Sequence, residues 1–337
     1  MISRATYETA LFQFLAPLAP LFEDPKVTEI ILNGPTSIFV ERAGRLSPAS
    51  IQLSRDDLLG ALRVVAQYVG RRLDETHPIL EAHLPGGARL EAVLDPVALD
   101  GPCVAIRKHQ GHLLTPEDLV KNGALSEEAL EFLRGLIHRK KNLLVSGGTG
   151  SGKTSLLRTF AEMSSSEERI VVLEDARELR LQKGHVVSLE TRPPDAEGLG
   201  GLTMADLFRA TLRLRPDRIV MGEVRGGEAL DLIQAMNSGH GGCLSTLHAS
   251  SPSGALRRLE TLASSSEVHL SPLALRSQVA HAVDWIVQTE RLEGGRRGVT
   301  EIARVRGVDD AGNFVTEAHF VRSSAGLFRA GDGEDSP

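Results

Sequence analysis

The residues Gly147, Gly148, Thr149, Gly150, Ser151, Gly152, Lys153 and Thr154 follow the spacing G-x-x-x-x-G-K-[ST], which suits a polyphosphate. Glycines let the backbone curl until successive N–H groups point inward at phosphate oxygens. A helix starting at the end of the loop adds its positive pole. Lys153 offers a cation to the β- and γ-phosphates, Thr154 offers a hydroxyl to Mg2+, and Ser155 is the next position of the cradle. The uncharged run Asn142-Leu-Leu-Val-Ser146 precedes the loop and the helical run Ser155-Leu-Leu-Arg-Thr-Phe-Ala-Glu-Met163 follows it. A strand before and a helix after are the context this motif requires. A nucleoside triphosphate is the expected ligand.

Hydrolysis also needs a carboxylate near the γ-phosphate, to place water or to hold Mg2+. Two apolar runs end in one: Ile170-Val-Val-Leu-Glu174-Asp175 and Ile219-Val-Met-Gly222-Glu223. The second occupies the Walker B position, with Gly222 where an aspartate is usual. Glu223 must therefore act there alone, also as a metal ligand beside Thr154, and Glu174 stands as the second candidate. Further along, Ser238-Gly-His240-Gly-Gly-Cys243-Leu-Ser-Thr246-Leu-His248 brings two histidines and a cysteine close in sequence. Three readings stay open: a zinc site short of a fourth ligand, a glycine loop entering a buried strand, or a sensor of the γ-phosphate.

The elements that must position these groups are legible around them. Arg169–Asp175 and Arg218–Val224, like 142–146, are uncharged runs of the kind buried in a parallel sheet. Helical patterns lie between them, so the second half reads as an α/β domain. Thr115-Pro116-Glu117-Asp118 and Ser126-Glu127-Glu128 are helix starts. Upstream, 27–42 reads as two short strands around Asn33-Gly34-Pro35, and 55–68 as an amphipathic helix. A hairpin follows at 83–93, turning at Pro85-Gly86-Gly87, and a strand at 104–107. The expected domains are an N-terminal helical segment (1–23), a small α+β domain (24–110), the ATP-binding domain (111–322) and a disordered tail (323–337).

Composition narrows the partners. The chain has 337 residues, 41% of them hydrophobic, enough to bury the core of about two domains. The longest apolar stretch without a charge, 10–22, is broken by Gln13, Pro17 and Pro20 and is too short to span a bilayer. It reads as a docking helix ending near Pro17 and not as a signal peptide. Two cysteines fit a reducing cytosol. A net charge of −6, with two tyrosines and one tryptophan, gives no strong nucleic-acid signal.

In order, GGTGSGKT, VVLEDARELRL and TLRLRPDRIVMGEVRGGEALDLIQAMNSGHGGCLSTLHASSP resemble the Walker A, Asp box, Walker B and His box of the secretion ATPase superfamily. That superfamily powers type II secretion, type IV pili and type IV secretion. The segments DPKVTEIILNGPTSIFVERAGRL, VGRRLDETHPILEAHLPGGARLEAVL and LDGPCVAIRKH are most similar to the CpaF-like branch, the motor of tight-adherence (Tad) pili. Conjugation ATPases are near relatives. The resemblance covers about residues 20–320. It implies a homohexamer of two-domain subunits, each with a RecA-like P-loop ATPase domain and a smaller N-terminal α+β domain covering the nucleotide. It implies ATP and Mg2+ as ligands, inner-membrane pilus or secretion platform proteins as partners, and a cytoplasmic location peripheral to the inner membrane. It makes Glu174 and Glu223 the catalytic acids, His240 and His248 the His-box residues, and Arg89 and Arg107 the arginines that reach the nucleotide. Ser238 replaces a common threonine and Cys243 a common serine. Only about 20 residues precede the core, where relatives of this branch often carry a long extension.

Overall fold

The computed structural model describes residues 4–42, 44–84, 87–108, 114–194, 197–323 and 326–330. These form two compact units: 1–112 with 193–201, and 113–192 with 202–337.

The first unit holds a six-stranded antiparallel sheet. Its strands are β1 (Val27–Asn33), β2 (Ile38–Arg42), β3 (Arg45–Pro48), β4 (Ile79–His83), β5 (Arg89–Val93) and β6 (Cys103–Arg107), in the order β3-β2-β1-β6-β5-β4. Alternate side chains (Ile30, Leu32, Val40, Leu80, Leu90, Val104, Ile106) point to one buried face, as the period of a half-covered sheet requires. Helices α1 (Arg4–Phe14), α2 (Ala19–Glu23) and α3 (Arg55–Tyr68) complete that core. Ser54 caps α3, its side chain accepting from Asp57 N.

The segment expected to be helical over 1–23 carries α1 and α2, and it packs into the neighbouring domain. Tyr7, Leu11, Leu15, Leu18 and Leu21 are buried in the same core as the sheet, so the segment is part of the domain. The prolines that argued against a membrane span end α1 at Phe14 and start a short 3-10 turn at 16–18. Of the expected hairpin turn, Pro85 and Gly86 lie outside the described residues.

The second unit is built on a nine-stranded sheet. Its strands are β7 (Leu143–Gly147), β8 (Ile170–Glu174), β9 (Val186–Glu190), β10 (Arg218–Met221), β11 (Leu244–His248), β12 (Trp285–Arg291), β13 (Arg297–Val308), β14 (Phe314–Ser323) and β15 (Gly326–Arg329). The order is β15-β14-β13-β12-β7-β11-β10-β8-β9. From β12 to β9 every pair is parallel, and β12 to β15 form an antiparallel meander. On one face lie α4 (Pro116–Lys121), α5 (Glu127–His138) and α6 (Lys153–Glu162), packing Leu133, Leu157 and Phe160 onto Leu143, Val145 and Val172. On the other lie α7 (Met204–Thr211), α8 (Glu228–Asn237), α9 (Pro252–Ala263) and α10 (Pro272–Ala282), packing Phe208, Ile233 and Leu256 onto Leu144, Leu173 and Met221. Covering both faces is what makes these strands unbroken apolar runs.

The expected disordered tail from 323 onward is corrected. Gly326–Arg329 pairs with β14 in register Ser323↔Gly326 to Phe320↔Arg329. Leu327 is buried in the core, and that burial gives the short strand a reason to fold despite its glycine- and serine-rich surroundings. Residues 331–337 lie outside the described residues. No described helix is long and apolar enough to cross a membrane.

Candidate active site

The C-terminal ends of the parallel strands carry the glycine loop, Glu174, Glu223 and His248, as open α/β sheets do. At the end of β7 the chain turns through Gly148–Gly152 into α6. Gly150 (φ 71°) and Gly152 (φ 97°, the residue capping α6) adopt the left-handed conformation that only glycine enters without strain. Gly147 is glycine for a different reason: a Cβ there would stand 2.2 Å from Thr289 O. A Cβ on Gly148 or Gly150 would meet nothing within 4 Å, so the inside of the loop is open. The Ser151 hydroxyl is buried without a partner. An open cradle with an orphaned buried hydroxyl fits a phosphate chain.

Lys153 donates to the carbonyls of Gly147 (3.1 Å) and Gly148 (2.9 Å). Its Nζ lies 3.3 Å from His248 Nδ1. Burial lowers the lysine pKa from its ordinary value, and Glu223 partly offsets this. His248 ends β11, directly beside Gly147 in the sheet. Its Nε2 stands 2.8 Å from Glu223 Oε1, close but without hydrogen-bond alignment. Burial first, then the Lys153 charge, holds the imidazole below its ordinary pKa, so it is neutral at pH 7. The other Glu223 oxygen accepts from Arg225 Nε at 2.8 Å, and Arg225 in turn lies 3.5 Å from Asp175. Lys153, His248, Glu223 and Arg225 thus form one continuous polar chain beside the loop.

Glu174 stands apart from this chain. It ends β8, two strands beyond β11 in the sheet order and about 14 Å from β7 at ordinary strand spacing. Its Oε1 accepts from Glu178 N and Leu179 N, both at 2.9 Å. A Cβ on Gly222 would stand 3.1 Å from Glu174 Cγ, so the missing Walker B aspartate has a steric reason: Glu174 fills its space. Burial pushes the Glu174 carboxyl up to about 7. A raised folded-state pKa means that the folded protein holds the proton longer than the unfolded chain. Stability is then full below about pH 4.5 and is lost as pH rises through 7. Glu174→Gln keeps the acceptor oxygen and removes the charge. It should match wild type at pH 5 and be about 1–3 kcal/mol more stable at pH 8. Thermal denaturation at both pH values tests this, and an equal difference at both would refute it.

His240 is not at the site within one chain. Leu244 opens β11 opposite Leu143 and His248 closes it opposite Gly147. His240 precedes that start, so about 13 Å of strand separates it from the loop. Cys243, between them, is fully buried, and burial pushes its thiol up to about 12. The two histidines and the cysteine therefore do not converge on an ion. Among the described residues no group of three or more His, Cys, Asp or Glu is placed to hold a metal. Arg89 and Arg107 belong to the first unit, where they face each other across β5 and β6. Arg89 is engaged by Glu81. Among the described residues the Arg107 side chain makes no ion pair or hydrogen bond.

Two participants escape a reading of motifs. Arg225 lies inside the Walker B run and could have been noticed as the nearest cation to Glu223. Thr289 carries no motif. Its hydroxyl lies 3.0 Å from the carbonyls of both Ser151 and Gly298, tying the phosphate loop to the β12–β13 hairpin.

The fold is that of a RecA-like ATPase domain with a smaller N-terminal domain. Residues 13–301 match the family model described as type II/IV secretion system protein, and the chain belongs to that family. Among relatives, it is 36% identical over 301 residues to the conjugal transfer protein TrbB of Rhizobium radiobacter, covering 86% of this chain and 87% of that one. It is 31% identical over 325 residues to the type IV secretion system protein VirB11 of Bartonella quintana, covering 86% and 91%. Among solved structures, the pilus retraction motor PilT with bound ADP shares the fold. The TM-score is 0.60 at 19% identity, over 87% of this chain and 81% of that one.

Proposed function

We propose that this chain is an ATP-hydrolysing motor of a bacterial export machine. It works as a homohexameric ring, peripheral to the inner membrane on the cytoplasmic side, and drives pilus assembly or protein secretion through platform proteins. The observation that carries the reading is the run of Lys153, His248 and Glu223 along one side of an open phosphate loop. In the bound state Lys153 exchanges the loop carbonyls for phosphate oxygens. Thr154 and Glu223 would hold Mg2+, which supplies charge neutralisation at the phosphates. Glu223 accepts the proton of the attacking water, and His248, neutral and between Glu223 and Lys153, senses whether the γ-phosphate is present. The segments similar to the CpaF-like branch support a Tad pilus as the machine. The relative named for conjugal transfer supports a second reading, in which DNA is moved. Hydrolysis stimulated by added DNA would decide for it.

Arg107 is assigned the role of an arginine finger from the first unit, because its guanidinium makes no ion pair or hydrogen bond among the described residues while that of Arg89 is engaged. An arginine that meets phosphate only on assembly makes turnover depend on the ring. ATPase activity per chain should therefore rise with protein concentration. Arg107→Ala should lose at least about a hundredfold in turnover while ATP affinity changes only a few-fold. If Arg107 is only a surface cation, the variant will match wild type, since exposed charges contribute about 0–1 kcal/mol. Steady-state kinetics across a dilution series separates the two outcomes.

A further inference from the structure

The β12–β13 hairpin places a cation against the phosphate loop on the flank away from the acids. The Arg297 stem lies over Gly152: a Cβ on that glycine would stand 3.3 Å from Arg297 Cδ and 3.6 Å from Arg297 Cβ. The side chain is exposed. Among the described residues its guanidinium makes no hydrogen bond or ion pair. The Thr289 hydroxyl lies 3.0 Å from the carbonyls of both Ser151 and the neighbouring Gly298 and shares its one proton between them, so the backbone carrying Arg297 lies close beside the loop. A guanidinium whose stem crosses the end of a phosphate cradle at Gly152, with no partner among the described residues, is positioned for charge-assisted hydrogen bonds to an anion.

The sheet order says which part of the ligand it meets. β7, which leads into the loop, is bordered by β12 on one side and by β11 on the other. Lys153 Nζ leans toward β11, where His248 and Glu223 stand. That side receives the terminal phosphate, so the flank beside β12 receives the other end of the nucleotide.

We propose that Arg297 is a nucleotide-binding residue that contacts the phosphate nearest the sugar, a group shared by ATP and ADP. This rests on the reading of the loop as an ATP site. Arg297 retains nucleotide through the whole cycle, unlike a finger, which acts on the phosphate that leaves.

The test is Arg297→Gln, which keeps most of the stem over Gly152 and removes the charge. Titration of full-length protein with ATP and with ADP should show both Kd values raised by a common factor of about ten. KM should rise accordingly, with kcat at saturating ATP held within about twofold. Unchanged affinity for both nucleotides would overturn the proposal. So would a fall in kcat with ADP affinity intact, because that is the signature of a γ-phosphate finger. Wild-type protein that binds neither nucleotide would overturn the underlying reading and this proposal with it. Wild-type binding that the variant matches overturns this proposal alone.

Discussion

Lys153→Ala abolishes ATP hydrolysis: turnover is expected to fall by at least about a thousandfold, since no other side chain of the loop brings a cation to the phosphates. The geometry around the lysine supports this expectation. Its ammonium group is held by the Gly147 and Gly148 carbonyls, which pre-aim it into the loop without neutralising it. Burial works against its charge while Glu223 favours it, so a polyphosphate entering the loop meets a cation short of counter-charge. Removing it also leaves Glu223 with Arg225 as its main positive neighbour. The fold should survive, because the Thr289 hydroxyl contacts the loop at Ser151 independently of Lys153. Turnover with coupled phosphate release, together with a melting curve, checks both halves. Equal turnover in a folded variant would remove the enzyme reading.

Much of the fold was legible because its signals are local. The runs ending at Ser146, Glu174 and Gly222 are apolar on both faces, and only a strand covered on two sides needs that. Caps at Thr115 and Ser126 set α4 and α5 to the residue, through hydrogen bonds to Asp118 N and Ala129 N. Less legible is burial that is decided far away in the chain. The segment over 1–23 shows its own apolar stripe, but nothing in it says that Tyr7 stacks on Tyr68 at 3.8 Å. The strand at 326–329 is too short for periodicity and exists because β14 offers an unpaired edge.

The candidate site divides along the same line. The phosphate loop is contiguous, so its glycines and Lys153 could be read in place. The acids could be found but not ranked, because ranking depends on strand order. β10 is separated from β7 by β11 alone, and β8 lies one strand further out. His240 and His248 look equivalent in sequence, yet the five-residue strand β11 puts them toward its opposite ends, His248 closing it and His240 preceding it. Thr289 and Arg297, more than 130 positions after the loop, could not be read at all, since their relevance arises only from β12 lying beside β7.

Glu223→Gln should bind ATP at least as tightly as wild type and hydrolyse it about 10²–10³-fold more slowly, the usual contribution of a positioned acid or base. Three features of the geometry lead to this. One Glu223 oxygen is anchored by Arg225, which fixes the carboxylate without consuming its second oxygen. That second oxygen faces His248, and the imidazole is held neutral by burial and by Lys153, so it does not quench the carboxylate as an imidazolium would. The amide keeps the size and the anchor but cannot take a proton from water, and losing a negative charge beside the γ-phosphate relieves repulsion. Glu174→Gln is the matched control: its carboxyl, bonded to two backbone N–H groups and raised to about 7, lies farther out in the sheet. Its loss should slow turnover less than the loss of Glu223. Rapid-quench measurement of bound ATP against ADP distinguishes a trapped complex from failed binding. If Glu174→Gln is the more damaging of the two, the proton passes through the buried carboxyl, and the role given to Glu223 is wrong.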